Sequence, residues 1–229
     1  MKIYFVRHGH PDYKTDCLTE LGHKQAAAAA ERLKDCGIER IYASTKGRAM
    51  QTAEHTADLL GQEIVPCDFM REIGWKSIDD EPIPANGHPW AVAEILASEG
   101  KTLLSREWQK DEPYCKSIIV ERAATVTEGI DAWLAELGYT REGELYRVTG
   151  ENTDKTVAMF SHAGSSSIAL SHIFNVPMPL FFGAFHMDFT SVTVVELSNE
   201  VGALFCPKLK LFNDAKHIEG ITVGNVFGN

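Results

Sequence analysis

Apolar residues run almost unbroken from Ile3 to Val6 and stop at Arg7-His8-Gly9, which predicts a buried strand over Lys2–Val6 feeding a loop. Thr19 is placed to cap a helix running through Asp35, with Leu21, Ala28, Ala29 and Leu33 on one stripe and Gly37 at its end. A strand over Ile38–Ala43, a helix over Gly47–Leu60 closed by Gly61, and a brief strand over Ile64–Pro66 follow. The period near 3.6 is clearest in Ile119, Ala123, Val126, Ile130, Trp133 and Leu137, predicting a helix over Ser117–Leu137. Glu142-Gly143 reads as a turn between two short strands. Thr156–Phe160 reads as another buried strand, ending at Ser161-His162-Ala163-Gly164 and followed by a helix over Ser165–Phe174. The last strands are expected over Ser191–Leu197 and Ala203–Leu211. Strands alternating with helices predict an α/β fold, a three-layer sandwich with a mainly parallel mixed sheet flanked by helices.

One stretch breaks the alternation. Residues 74–116 hold Pro82, Pro84, Pro89 and Pro113 together with Trp75, Trp90 and Trp108, and periodicity supports only a short helix over Trp90–Ala97. The expectation is a single domain over 1–229 with a cap-like insertion at about 74–116 lying over one end of the sheet. A long surface excursion without a role is the alternative reading.

Composition narrows the class. The chain has 229 residues, 44% hydrophobic and 24% charged, as in an ordinary globular protein, and a net charge of −10. That charge argues against partners such as nucleic acid or an anionic membrane surface, and leaves room for a small anionic substrate in a locally positive pocket. No apolar run approaches the roughly 20 residues that span a bilayer. Met1–Val6 leads straight into the Arg7 segment, so no signal peptide is expected. The five cysteines, Cys17, Cys36, Cys67, Cys115 and Cys206, are scattered and odd in number, which fits reduced thiols in a cytoplasmic protein. The oligomeric state is not legible.

In sheets of this kind ligands bind beyond the carboxyl ends of the strands, and His8 and His162 each follow a predicted strand. Arg7 and Arg48 stand at a strand end and a helix start. Arginine grips phosphate through a rigid fork, a helix N-terminus adds backbone donors, and imidazole is nucleophilic near neutrality when one ring nitrogen is held and the other free. The parts of a phosphoryl-transfer site are therefore present. His8 and His10 also form an H-x-H pair, but zinc catalysis wants a third ligand and an open position, and Arg7 beside them would repel a cation. No metal or other cofactor is expected. G-x-x-x-x-G-K and G-x-S-x-G are both absent.

The joint pattern carries more. Val6-Arg7-His8-Gly9, Leu18-Thr19-Glu20-Leu21-Gly22-His23-Lys24-Gln25-Ala26, Tyr42-Ala43-Ser44-Thr45-Lys46-Gly47-Arg48-Ala49-Met50-Gln51-Thr52-Ala53, Phe160-Ser161-His162-Ala163-Gly164 and Phe212-Asn213-Asp214-Ala215-Lys216-His217-Ile218 occur in order over residues 1–218. Together they resemble the signature blocks of the histidine phosphatase, or phosphoglycerate-mutase-like, superfamily. The resemblance implies that His8 is the phosphorylated nucleophile and that Arg7, Arg48 and His162 hold the phosphoryl oxygens. Gly9, Ser44 and His10 are further candidates for binding substrate. The acid that protonates the leaving oxygen follows the third strand in that family, which points to Glu72. Two departures stand out. Gly74-Trp75-Lys76-Ser77-Ile78-Asp79-Asp80 replaces the G-x-W-E-G stretch common after that glutamate, so Asp79 and Asp80 remain rival acids. His10-Pro11 replaces the usual glutamate-threonine, and His10 either touches substrate or faces solvent. The implied activity is hydrolysis of a small phosphomonoester. Alternatives are a phosphoglycerate-type mutase, whose usual Glu-Arg-x-Tyr-Gly context is not seen around Glu72, and a non-catalytic phospho-ligand binding module.

Overall fold

The computed structural model describes residues 1–151 and 153–221. At its centre is a mixed six-stranded sheet built from β1 (Lys2–Arg7), β2 (Arg40–Ala43), β3 (Ile64–Pro66), β4 (Thr156–Ser161), β5 (Val192–Glu196) and β6 (Lys208–Asp214). The spatial order is β6-β5-β1-β4-β2-β3. β1, β4, β2 and β3 pair in parallel, whereas β5 runs antiparallel to β1 and β6. The helices are α1 (Glu20–Leu33), α2 (Gly47–Leu60), α3 (Pro89–Ser98), α4 (Ile119–Glu136), α5 (Ala163–Phe174) and α6 (Met178–Ala184). The three-layer α/β arrangement expected from the alternation is the one observed.

Alternation along the strands explains the layers, because successive side chains point to opposite faces of a sheet. Ile3, Phe5, Val157, Met159 and Val195 join a core with α4, α5 and α6 on one face. Val6, Ile41, Ala43, Ala158, Phe160 and Val192 pack against Leu33, Ala53 and Ala57 of α1 and α2 on the other. In the alanine run of α1, Ala26, Ala29 and Ala30 are buried.

Register then sets where chemistry can sit. Arg7 of β1 pairs with Ser161 of β4, and Phe160 of β4 pairs with Ala43 of β2. His8, His162 and Ser44 are thus the first residues past three adjacent, parallel strand ends.

Two expectations change. The strand anticipated over Ala203–Leu211 is split around Cys206-Pro207: Leu204–Phe205 joins the hairpin Tyr139–Glu142/Leu145–Val148 in a separate three-stranded sheet, and β6 begins at Lys208. Proline has no N–H to give a ladder, so the break falls beside it. α6 was not anticipated either. Pro177 and Pro179 suggest a loop, yet proline is compatible with a first helical turn, where its missing N–H has no intrahelical partner. In the 74–116 segment, Trp108 packs edge-on to Tyr114 with ring centroids 5.6 Å apart, and Trp90 lies 4.7 Å from Phe182 of α6. Trp75 packs edge-on to His88 and Trp90. The Trp90–Phe182 contact joins the segment to α6, and the other ring pairs hold the segment together internally.

Candidate functional site

His8 is 1% exposed and its protonation is fixed by its neighbours. Nδ1 lies 2.7 Å from the Gly9 carbonyl, which can only accept, so Nδ1 carries the proton. Arg48 Nε, which can only donate, is 3.2 Å from Nε2, so Nε2 keeps its lone pair. Burial holds the His8 pKa well below the usual imidazole value, and the charges of Arg7 and then Arg48 push it the same way. The result is a neutral imidazole with its nucleophilic nitrogen among positive charges.

Arg7 is 7% exposed, donates to the Met187 carbonyl and stacks its guanidinium 4.1 Å from the centre of the Phe189 ring. Arg48, in the first turn of α2, also bonds Asp16. Asp16 accepts from the Gly47 amide at 3.1 Å and lies 3.8 Å from Lys46 Nζ, so its carboxylate occupies the positive end of α2. Tyr13, 68% exposed, lies over the Arg48 guanidinium at 5.4 Å.

His162 is the N-cap residue of α5, fully buried, with its ring centroid 5.1 Å from that of His8. Its Nε2 is 2.8 Å from Ser44 Oγ, which accepts from the Lys46 amide at 3.3 Å and has its own hydrogen to give to Nε2. Burial, and then the proximity of His8, Arg48 and Arg7, keep this imidazole neutral as well. Among the described residues, His162 Nδ1 and Arg7 Nε are buried polar atoms with no protein partner.

Glu72 follows β3 through the short turn Asp68–Met70. Its Oε1 accepts from Ile73 N at 3.0 Å and from Ser165 N, in the first turn of α5, at 3.3 Å. Burial raises its pKa; Arg48, those amides and Arg7 oppose the rise without cancelling it. The carboxylate can come this close because residue 164 is glycine: a Cβ there would sit 2.5 Å from Glu72 Oε1.

The structure thus brings Arg7, His8, Ser44, Arg48, Glu72 and His162 together. Asp79 is exposed and accepts from Ser77 Oγ at 2.8 Å, and Asp80 is exposed at φ 61°, so neither rival acid occupies the Glu72 position. His10 is half-buried, with Nδ1 3.0 Å from Thr19 Oγ1 and its backbone amide 2.7 Å from Gln25 Oε1, which ties the loop to α1. Gly9 donates to Thr52 Oγ1 at 3.0 Å, and a Cβ on it would lie 2.6 Å from the Gly22 carbonyl.

Sequence reasoning passed over Tyr13, Asp16, Met187 and Phe189, which carry no motif of their own. The last block, by contrast, has a visible structural use. Asn213 bonds the Asp188 amide at 2.6 Å and its carboxylate at 3.0 Å, Asp214 pairs with Arg32 at 2.8 Å, and His217 Nε2 is 3.1 Å from Thr190 Oγ1. These bonds clamp the 187–190 loop, whose Thr190 amide in turn donates to the His8 carbonyl at 3.3 Å.

Donor atoms of His8, Glu72 and His162 lie within 4.8 Å of one another, close enough to share a cation. The charges of Arg7 and Arg48 act on both imidazoles, so they oppose a cation there and favour an anion.

The model for the histidine phosphatase superfamily (branch 1) matches residues 3–206, and the chain belongs to that superfamily. A protein named probable phosphoglycerate mutase from Yersinia pestis is 33% identical over 112 residues, 44% of this chain and 52% of that one. The chain spans about half the length of the curated relatives it matches. Among solved structures, the phosphoserine phosphatase of Entamoeba histolytica in complex with 3-phosphoglyceric acid gives a TM-score of 0.62 at 20% identity, covering 95% of this chain and 98% of that one. A mycobacterial glucosyl-3-phosphoglycerate phosphatase with inorganic phosphate gives 0.62 at 22%, covering 94% and 98%. At these identities the likeness speaks for the fold alone.

Proposed function

We propose that the chain is a phosphatase that hydrolyses a small phosphomonoester through a phosphohistidine on His8, with Glu72 as general acid and base. The observation that carries this reading is the fixed tautomer of His8: Nδ1–H held by the Gly9 carbonyl, Nε2 bearing a lone pair among two arginines. Arg48 turns its donors from Nε2 to the arriving phosphate. Nε2 attacks phosphorus, the bond from phosphorus to the ester oxygen breaks, and Glu72 gives that oxygen its proton. Arg7, Arg48 and Nδ1–H of His162 hold the equatorial oxygens, a preorganised arrangement that stabilises the charge of the transferring group. Water then attacks the phosphohistidine, Glu72 takes its proton, and Nε2 leaves with its lone pair restored. Every group needed for these steps is a side chain of this chain, so the reaction is expected to run without a metal.

The mutase reading differs only in the second acceptor, a bound hydroxy acid in place of water, and the name of the Yersinia relative keeps it in view. Phosphoserine, 3-phosphoglycerate and glucosyl-3-phosphoglycerate are the natural first substrates to try, since structural neighbours are named for them or hold them. Release of inorganic phosphate without isomerised ester supports the phosphatase. Isomerised phosphoglycerate as the main product would assign the mutase, and failure to turn over any phosphoester, aryl phosphates included, would leave a binding module.

A further inference from the structure

A second pair of histidines lies outside this site. His23 of α1 and His55 of α2 face each other across the helix pair, with His23 Nδ1 3.1 Å from His55 Nε2 and ring centroids 5.4 Å apart. His23 is exposed and His55 half-buried. We propose that these two imidazoles form a surface site for a divalent transition-metal ion that staples α1 to α2. The inference does not depend on the phosphatase reading.

Geometry supports it first. Two imidazole nitrogens bound at about 2.0–2.1 Å to a tetrahedral ion stand ~3.3 Å apart, and ~2.9 Å apart when they meet a metal at a right angle. The observed 3.1 Å lies between these values, so the two nitrogens of the unliganded pair already stand a metal's bite apart. The rings point nearly head-on, because the centroid separation exceeds the nitrogen separation by about two ring radii. Each therefore swings at its own side-chain torsions to aim its lone pair at a common point. In the unliganded pair one inner nitrogen carries the proton of an N–H···N bond. On binding, that proton moves to the outer nitrogen of the same ring, and both inner nitrogens offer a lone pair.

Charge and chemistry agree. Neutral imidazole suits Zn2+, Ni2+ and Cu2+, and burial together with the neighbouring His23 lowers the His55 pKa, which favours its lone-pair form. The carboxylates of Asp58 and Glu54 act on His55, and the chain as a whole carries −10. The ion would sit about 10 Å along α2 from Arg48, seven residues away on the same helix. Gly22, next to His23, and Thr52, three residues before His55, both touch Gly9. The staple therefore holds the two helices that back the His8 loop.

The test is a calorimetric titration with Ni2+, which competes for thiolates less than zinc does. It is run at neutral pH on the wild type, His23→Gln, His55→Gln and Glu72→Gln, with thermal melting in parallel. The expected result is one ion per chain in the wild type and in Glu72→Gln, at least tenfold weaker binding in each histidine variant, and a melting temperature raised by Ni2+ only where both histidines are present. Metal-free His23→Gln and His55→Gln should melt cooperatively and keep wild-type turnover. No saturable binding in the wild type, unchanged affinity in either histidine variant, or loss of binding in Glu72→Gln instead, which would move the ion to His8 and His162, overturns the proposal.

Discussion

At the scale of single residues, the proposed chemistry rests on protons placed by fixed partners. The Gly9 carbonyl and Arg48 together leave His8 one tautomer, and burial keeps it neutral across the physiological range. Arg48 supplies geometry as well as charge, so Arg48→Lys should cost about 2–4 kcal/mol in transition-state stabilisation, the scale of one preorganised donor. Steady-state kinetics with near-wild-type kcat/KM would place Arg48 outside the reaction. Glu72 must be protonated to assist the leaving group, and its raised pKa lets it hold that proton closer to neutrality than a free carboxyl does. Cleavage of an alkyl phosphate should therefore fall as pH rises through that pKa, and Glu72→Gln should slow it strongly while sparing nitrophenyl phosphate, whose anion departs unaided. The same leaving-group pattern in Asp79→Asn or Asp80→Asn, and not in Glu72→Gln, would move the acid. His8, His162, Arg7 and Arg48 were legible because each sits at a predicted element boundary with chemistry suited to phosphate. Tyr13 and Asp16 were not, because their contact with Arg48 depends on how the hairpin Pro11–Asp12/Cys17–Leu18 folds back, which no periodicity encodes.

At the scale of elements, tight approaches and one clamp hold the site. α5 presents Ser165 N to Glu72 because Gly164 leaves room, so Gly164→Ala should displace the carboxylate and lower turnover of alkyl phosphates while the protein still melts cooperatively. Unchanged kinetics would show that Glu72 can shift without loss. Asn213 holds the loop that gives Arg7 its Met187 carbonyl and Phe189 ring. Asn213→Ala should cost roughly 10- to 100-fold in kcat, the penalty of misplacing a positioned group by about an ångström; a wild-type kcat would make the clamp irrelevant to catalysis. The helix over Gly47–Leu60 and the strand over Ile64–Pro66 coincide with the expected bounds, since Gly61 and Pro66 punctuate them. α6 and the split at Cys206-Pro207 escaped because a proline alone does not say whether it opens a helix or ends a strand.

At the scale of the whole molecule, the alternation of strands and helices was enough to give the parallel sheet and hence the end at which chemistry gathers. The order β6-β5-β1-β4-β2-β3 depends on packing between distant segments and could not be read from local pattern. No helix among the described residues is long and apolar enough to cross a membrane. Stability should depend on pH through buried neutral histidines. Burial pushes His217 down to about 4, and His8 and His162 shift the same way. Between about 4 and 6.5 the unfolded chain takes up protons that the folded chain refuses, so stability is lost as pH falls through that window. Melting temperatures of the wild type and His217→Gln measured from pH 7 to 4 should differ in slope, with the variant flatter; parallel curves would remove His217 from this role. Chelator should leave turnover unchanged, and loss restored by zinc would instead put a cation between His8, Glu72 and His162.

The proposed covalent step at His8 has the most direct test. Brief incubation with a 32P-labelled phosphoester, rapid quench and peptide mapping should find label on His8, in an acid-labile, base-stable bond, with none on His8→Ala and no turnover by that folded variant. Steady turnover by His8→Ala, or label on any other residue, would contradict the mechanism.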